Sequence, residues 1–158
     1  MRLVVIPGCR LIGLYFEASW NERAFEVQRA WRRLASYTSS VSEQKHGDCL
    51  HVTLWENDGL HGEFVGAIAR GDVPEGLTVL DIPAGTFVYQ SSAGTATAVR
   101  DAFGTMYAWA RRRSLRTDEY RIESGCEQRV LGEVRPHDLY VRLTDEHAAR
   151  GGILSWAA

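Results

Sequence analysis

Residues 24–33 read AFEVQRAWRR and residues 102–111 read AFGTMYAWAR. The two segments align without gaps, and Ala24/Ala102, Phe25/Phe103, Ala30/Ala108, Trp31/Trp109 and Arg33/Arg111 are identical pairs. Upstream of each lies a second match, Ile6-Pro7-Gly8 against Ile82-Pro83-Ala84. The matches are 78 positions apart in the helical segments and 76 at the prolines, so one duplication accounts for both. In the first copy Ala24, Val27, Trp31 and Leu34 recur at helical spacing, with charged residues on the other face. This predicts a helix over 21–37 with Asn21 as its N-cap, and a second over 95–113.

Working outward, 3–6 (LVVI) and 11–16 (LIGLYF) are apolar and β-prone, split by Pro7-Gly8. Residues 38–49 are polar and are expected to form a loop. Two further strands are expected at 50–55 (LHVTLW) and 62–69 (GEFVGAIA), joined by a hairpin turn at Glu56-Asn57-Asp58-Gly59. Val73-Pro74-Glu75-Gly76 reads as a linker, after which strands recur at 77–82, 85–90, 119–123 and 138–143. The fold class expected is α+β. Two pseudo-symmetric modules, about 1–72 and 73–158, form one antiparallel sheet in a single domain. A lone module has too few strands and too little core to stand alone. Pairing the modules about a pseudo-twofold axis leaves a concave central cleft, the natural place for a ligand.

The 158 residues fit one domain, with 45% hydrophobic and 24% charged residues. A net charge of −2 gives no basic excess for phosphate neutralisation, which argues against direct nucleic-acid binding. Cys9, Cys49 and Cys126 are odd in number and scattered, as expected of a reduced, cytoplasmic protein. No apolar run approaches the roughly 20 residues of a membrane span, and Pro7 and Arg10 cut the N-terminal run too short for a signal peptide. The five histidines show no HExxH-type spacing, and no P-loop or GxSxG motif is present. No metal or cofactor is expected.

The run VPEGLTVLDIPAGTFVYQSSAGTATAVRDAFGTMYAWARRRSLRTDEYRIESG (73–125) resembles the gyrase-inhibitor-like family, the AraC-type effector-binding domain. The likeness lies in an ordered set: a P-x-G turn, a strand ending in IPAG, a strand with an aromatic, a helix ending in Trp, and a strand with one glutamate. The first half is similar more loosely, through RLVVIPGCRLIGLYFEAS, the Trp31 helix and GEFVGAIARG. The resemblance implies two β-α-β-β modules around a cleft that binds small amphipathic, cationic or aromatic molecules. Relatives often carry a DNA-binding helix-turn-helix segment; this chain starts at its first strand and is expected to be a stand-alone member. Some relatives protect gyrase or sequester drugs, and some hydrolyse cyclopropane-bearing toxins. A hydrolase and a protein-interaction role are therefore the alternatives to small-molecule binding. Oligomeric state stays open.

The resemblance makes Glu123 the pocket glutamate. A carboxylate at the base of an apolar cleft attracts a cation, and in a hydrolase it would serve as general base. Glu119 and Glu127 are its register rivals. Tyr140 lies where relatives present a pocket tyrosine. Trp31 and Trp109, at matching helical sites, are expected to line the cleft, with Phe16, Trp55, Phe64 and Tyr107 as further aromatic candidates. Phe87 is weighed with them. Relatives carry an aromatic three residues before the glycine of the fourth strand, here Gly66. This chain has Glu63 there, with Phe64 next, so a second carboxylate is a candidate for the cleft.

Overall fold

Two-residue connections at Pro7-Gly8 and Pro83-Ala84 dictate the topology. In this computed structural model, residues 1–37, 45–125, 136–144 and 152–153 are described. In chain order the elements are β1 (Arg2–Ile6), β2 (Cys9–Ser19), α1 (Arg23–Ala35), β3 (Lys45–Asn57), β4 (Leu60–Ala69), β5 (Thr78–Ile82), β6 (Gly85–Ser92), α2 (Ala96–Arg111), β7 (Thr117–Ser124), β8 (His137–Leu143) and β9 (Gly152–Ile153). They form one sheet in the order β5-β2-β4-β3-β7-β8-β6-β1-β9. The first eight strands pair antiparallel, and the two-residue β9 runs parallel to β1. The class is α+β.

Each half contributes β-β-α-β-β rather than β-α-β-β, and the leading strands are exchanged. β1 pairs with β6 of the second half, while β5 pairs with β2 of the first. Five strands lie between β1 and β2 in the sheet, yet only Pro7 and Gly8 join them. Six strand spacings of about 4.8 Å make roughly 29 Å across a flat sheet. A two-residue link reaches only about 10 Å. The sheet must therefore curl until its ends approach. The two proline connections cross in contact: a Cβ on Gly8 would lie 3.1 Å from both Ile82 O and Ala84 N.

Alternation along the strands assigns the two faces. Val4, Ile6, Leu11, Leu50, Val52, Phe64, Ile82, Phe87, Ile122 and Tyr140 form one core on the face away from the helices. On the other face each helix packs on its own cluster. Ala30, Trp31 and Leu34 of α1 meet Leu14 and Val65, and Val99, Ala102, Met106 and Ala110 of α2 meet Val88, Leu139 and Val141. Arg32 and Arg33 close α1 with positive charge, and Glu26 opens it with negative charge, as the helix dipole favours.

Some boundaries differ from those the sequence predicts. Glu22, not Asn21, is the N-cap of α1, and it makes no side-chain cap bond. Thr95 caps α2 by accepting from the Ala98 amide. β3 starts at Lys45, inside the expected loop, and the rest of that loop lies outside the described residues. The β3–β4 turn places Asp58 (φ 49°) and Gly59 (φ 77°) in the left-handed region, as a type I′ hairpin requires.

Candidate functional site

The helices leave a cavity of about 520 Å³ between them, floored by the central strands β3 and β7. From α1 and its approach come Trp20, Arg23, Ala24, Val27, Gln28 and Trp31; from α2 come Ala96, Val99, Arg100, Phe103, Gly104 and Tyr107. Thr97 of α2 lines it too, without a lining counterpart; each of the other six α2 residues is a residue of α1 or its approach displaced by 76 positions, from Trp20/Ala96 to Trp31/Tyr107. The spacing of the prolines, not that of the matched tryptophans, is the structural one. Trp31 is thus the counterpart of Tyr107. Phe25, 66% exposed, points to solvent, while Phe103 lines the cavity.

The floor carries charge. His51 and Glu123 line the cavity and are directly opposed across the β3–β7 ladder. His51 Nε2 lies 2.8 Å from Glu63 Oε2, and His51 Nδ1 lies 3.7 Å from Glu123 Oε2. His137 Nδ1 contacts Glu123 Oε1 at 2.5 Å. Glu63 is held by two further donors, Arg23 Nε at 2.5 Å and Thr53 Oγ1 at 3.0 Å. A chain Glu63–His51–Glu123–His137 therefore crosses four adjacent strands, β4, β3, β7 and β8. All four side chains are buried.

The duplication explains the order of that chain. On β4, Glu63 opposes Phe16 of β2; on β8, His137 opposes Ser92 of β6, which is Phe16 displaced by 76. His51 opposes Val65, and Glu123 opposes Leu139, at matching depth. Glu63 and His137 are thus counterparts, as are His51 and Glu123. The pseudo-twofold axis passes through the His51–Glu123 pair, and acid and imidazole change places across it.

Burial alone would hold Glu63 protonated. The His51 ring and the Arg23 guanidinium outweigh burial and bring its carboxyl down to about 2. Burial likewise opposes a charge on His51. The Glu63 carboxylate and contacts with Glu123 and Glu63 prevail over burial and the nearby Arg23, so its pKa is raised. With Glu63 ionised, His51 Nε2 donates to it and Nδ1 is turned toward Glu123.

Of the residues singled out from sequence, Glu123, Trp31 and Tyr107 line the cavity. Glu63 stands one strand behind the lining and reaches it through His51. The remaining aromatic candidates lie elsewhere. Phe64, Phe87 and Tyr140 have the opposite strand parity to the floor residues and belong to the core of the other face. Trp109 falls off the cavity stripe of α2 and stacks under Arg113, 4.0 Å from the ring centroid. Trp55 covers Gly62, where a Cβ would meet its ring at 2.2 Å, beside the register shift between Thr53 and Trp55. Phe16 lies one strand further out and packs on the α1 cluster. Glu119 accepts from the Glu56 amide, away from this cavity, because β7 shifts register between Thr117 and Arg121. Glu127 lies outside the described residues.

Sequence reasoning missed Arg23, His51, Thr53, Phe103, Arg121 and His137. One signal was available: His51 and Thr53 alternate with Leu50 and Val52, which marks a polar face on an otherwise apolar strand.

No protein-family model and no curated protein sequence matches the chain. Solved structures do. SAV2435 bound to tetraphenylphosphonium is similar at a TM-score of 0.68 and 10% identity, over 92% of this chain and 94% of that one. The C-terminal domain of EcmrR is similar at 0.67 and 15%, over 90% and 95%. A hydrolase from Listeria innocua is similar at 0.56 and 9%, over 90% of each chain. With such neighbours, the chain has the fold of an effector-binding domain.

Proposed function

We propose that the cleft binds an amphipathic small molecule carrying aromatic groups and a positive charge. The observation that carries this reading is Glu123 at the floor of an apolar cavity whose walls include Trp20, Trp31, Phe103 and Tyr107. Aromatic faces add about 0.5–2 kcal/mol each to the capture of a cation, more as the site dries. Arginines also line the cavity, but two of the three are engaged within the fold: Arg23 is paired with Glu63, and Arg121 with Glu56 at 3.4 Å. Arg100 is largely exposed to solvent, which screens its charge. The similar fold of SAV2435, bound to tetraphenylphosphonium, supports the size and charge of the ligand.

The test sets that lipophilic cation against tetraphenylborate, an anion of nearly the same shape. Quenching of intrinsic tryptophan fluorescence by the cation alone is the expected result. Equal binding of both ions, or tighter binding of the borate, would overturn the charge preference.

One observation favours a hydrolytic reading of the same site. Glu63 backs His51 at one nitrogen while the ring lines the cavity, an arrangement suited to proton transfer by a general acid. Incubation with a cyclopropane-bearing alkylator, with no loss beyond that in buffer, would remove it.

A further inference from the structure

We propose that the cleft exchanges a proton for its cationic ligand, and that His51 is the residue that gives the proton up. The inference rests on the ligand-binding reading above.

The geometry of the buried chain leads there. Glu63 and Glu123 flank His51, one toward each ring nitrogen. Arg23 also contacts Glu63. An imidazolium at His51 serves both acids at once, donating Nε2–H to Glu63 and directing Nδ1–H at Glu123. Without that hydrogen, the Nδ1 lone pair and a carboxylate oxygen would face each other at 3.7 Å in a buried site. His137 Nδ1 contacts the other oxygen of Glu123.

A cation seated above Glu123 supplies the same charge from the cavity side. Two cations then share one carboxylate in a dry site, and each disfavours the other. The bound cation cannot dissociate from its own charge, whereas the imidazolium can. The proton leaves His51 Nδ1 for solvent, the ring stays hydrogen-bonded to Glu63 through Nε2, and total charge is conserved. Among the described residues, the titratable and charged groups around His51 come from several elements. Glu63 comes from β4, Glu123 and Arg121 from β7, Arg23 from α1, and Thr53 from its own strand. Arg100 and Tyr107 of α2 lie across the cavity, and His137 of β8 stands behind Glu123. Glu63 keeps the Arg23 guanidinium and the Thr53 hydroxyl as donors, which hold it as the anion, so the proton passes to solvent rather than to Glu63.

The experiment is calorimetric titration of the whole chain with tetraphenylphosphonium near pH 7. It is run in two buffers of different ionisation enthalpy, phosphate and Tris. The expected result is an apparent enthalpy that differs between buffers by the equivalent of up to one proton released per ligand. The affinity should tighten with pH by as much as about tenfold per unit while His51 remains charged in the free protein. The His51→Asn variant should bind with no buffer dependence. Identical enthalpies in both buffers for the wild type overturn the exchange while leaving ligand binding intact. Undiminished proton release from His51→Asn overturns the assignment to His51. No binding heat in either buffer and no fluorescence change overturn the ligand-binding reading and the exchange together.

Discussion

His51 and Glu123 face each other across the central strand pair, and each is the other's counterpart in the duplicated chain. The site is therefore organised around a pair whose members hold equivalent positions and opposite chemistry. Stability and binding should both be read through that pair and its two outer neighbours.

Glu63 anchors the assembly, with Arg23, His51 and Thr53 all directed at its carboxylate. Glu63→Ala leaves a buried imidazolium and a half-buried guanidinium without their counter-charge. Breaking such a pair costs about 3–5 kcal/mol. Urea unfolding should show a loss of that size, whereas Glu75→Ala, at an exposed position, should change stability by less than about 0.5 kcal/mol.

Stability should depend on pH from both sides. Glu63 has a folded pKa of about 2, below its ordinary 4.5. Its contribution is present above 4.5 and is lost as pH falls toward 2. His51 has a raised pKa, so its contribution is complete below its ordinary 6.5 and fades as pH rises through the folded value. Urea midpoints measured across pH should be highest between about 4.5 and 6.5. His51→Asn should remove the decline on the alkaline side; a decline of unchanged depth would refute its assignment to His51.

The tryptophans divide by position. Trp31 lines the cavity, whereas Trp109 packs outside it under Arg113. Trp31→Leu should weaken binding of tetraphenylphosphonium by about 2- to 30-fold, the range of one cation–π contact. It should also reduce the quenching amplitude. Trp109→Phe should leave the dissociation constant unchanged within error, and a large effect there would mean that the two helices are equivalent after all.

Gly13 and Gly66 are paired across β2 and β4. A Cβ on Gly13 would come within 2.0 Å of Val65 O, so Ala at this position must push the strands apart. Gly13→Ala should cost about 1–3 kcal/mol, the range for forced overpacking, visible as a lower thermal midpoint. Gly104→Ala, where a Cβ would meet nothing within 4 Å, should instead stabilise α2 by roughly 1 kcal/mol.

The paired helices, most strands and the cleft between the halves were legible because periodicity and the proline match are local signals. Three things were not. The exchange of β1 and β5 is decided by which edge each strand reaches, and strand composition does not encode that. The register of the duplication was ambiguous, and the tryptophans in step at 78 concealed the structural spacing of 76. Tyr140 and Phe64 pointed away from the site because the face of a strand depends on one residue of register. Glu63, by contrast, stood out as a carboxylate where relatives carry an aromatic. What remained hidden was its partner: His51 is adjacent only in space, and no spacing rule links it to Glu63.

The axis through His51 and Glu123 also sets a rule of symmetry. Two identical half-chains joined about a strict twofold would have to present the same residue from both sides of that axis. Two carboxylates there would contend for one proton, and two imidazoles would repel when charged. Fusing the halves into one chain lifts that constraint, so one side can be acid while the other is base. The covalent link thereby gives the cleft a polarity, from β4 toward β8, that a homodimer of either half is forbidden to have.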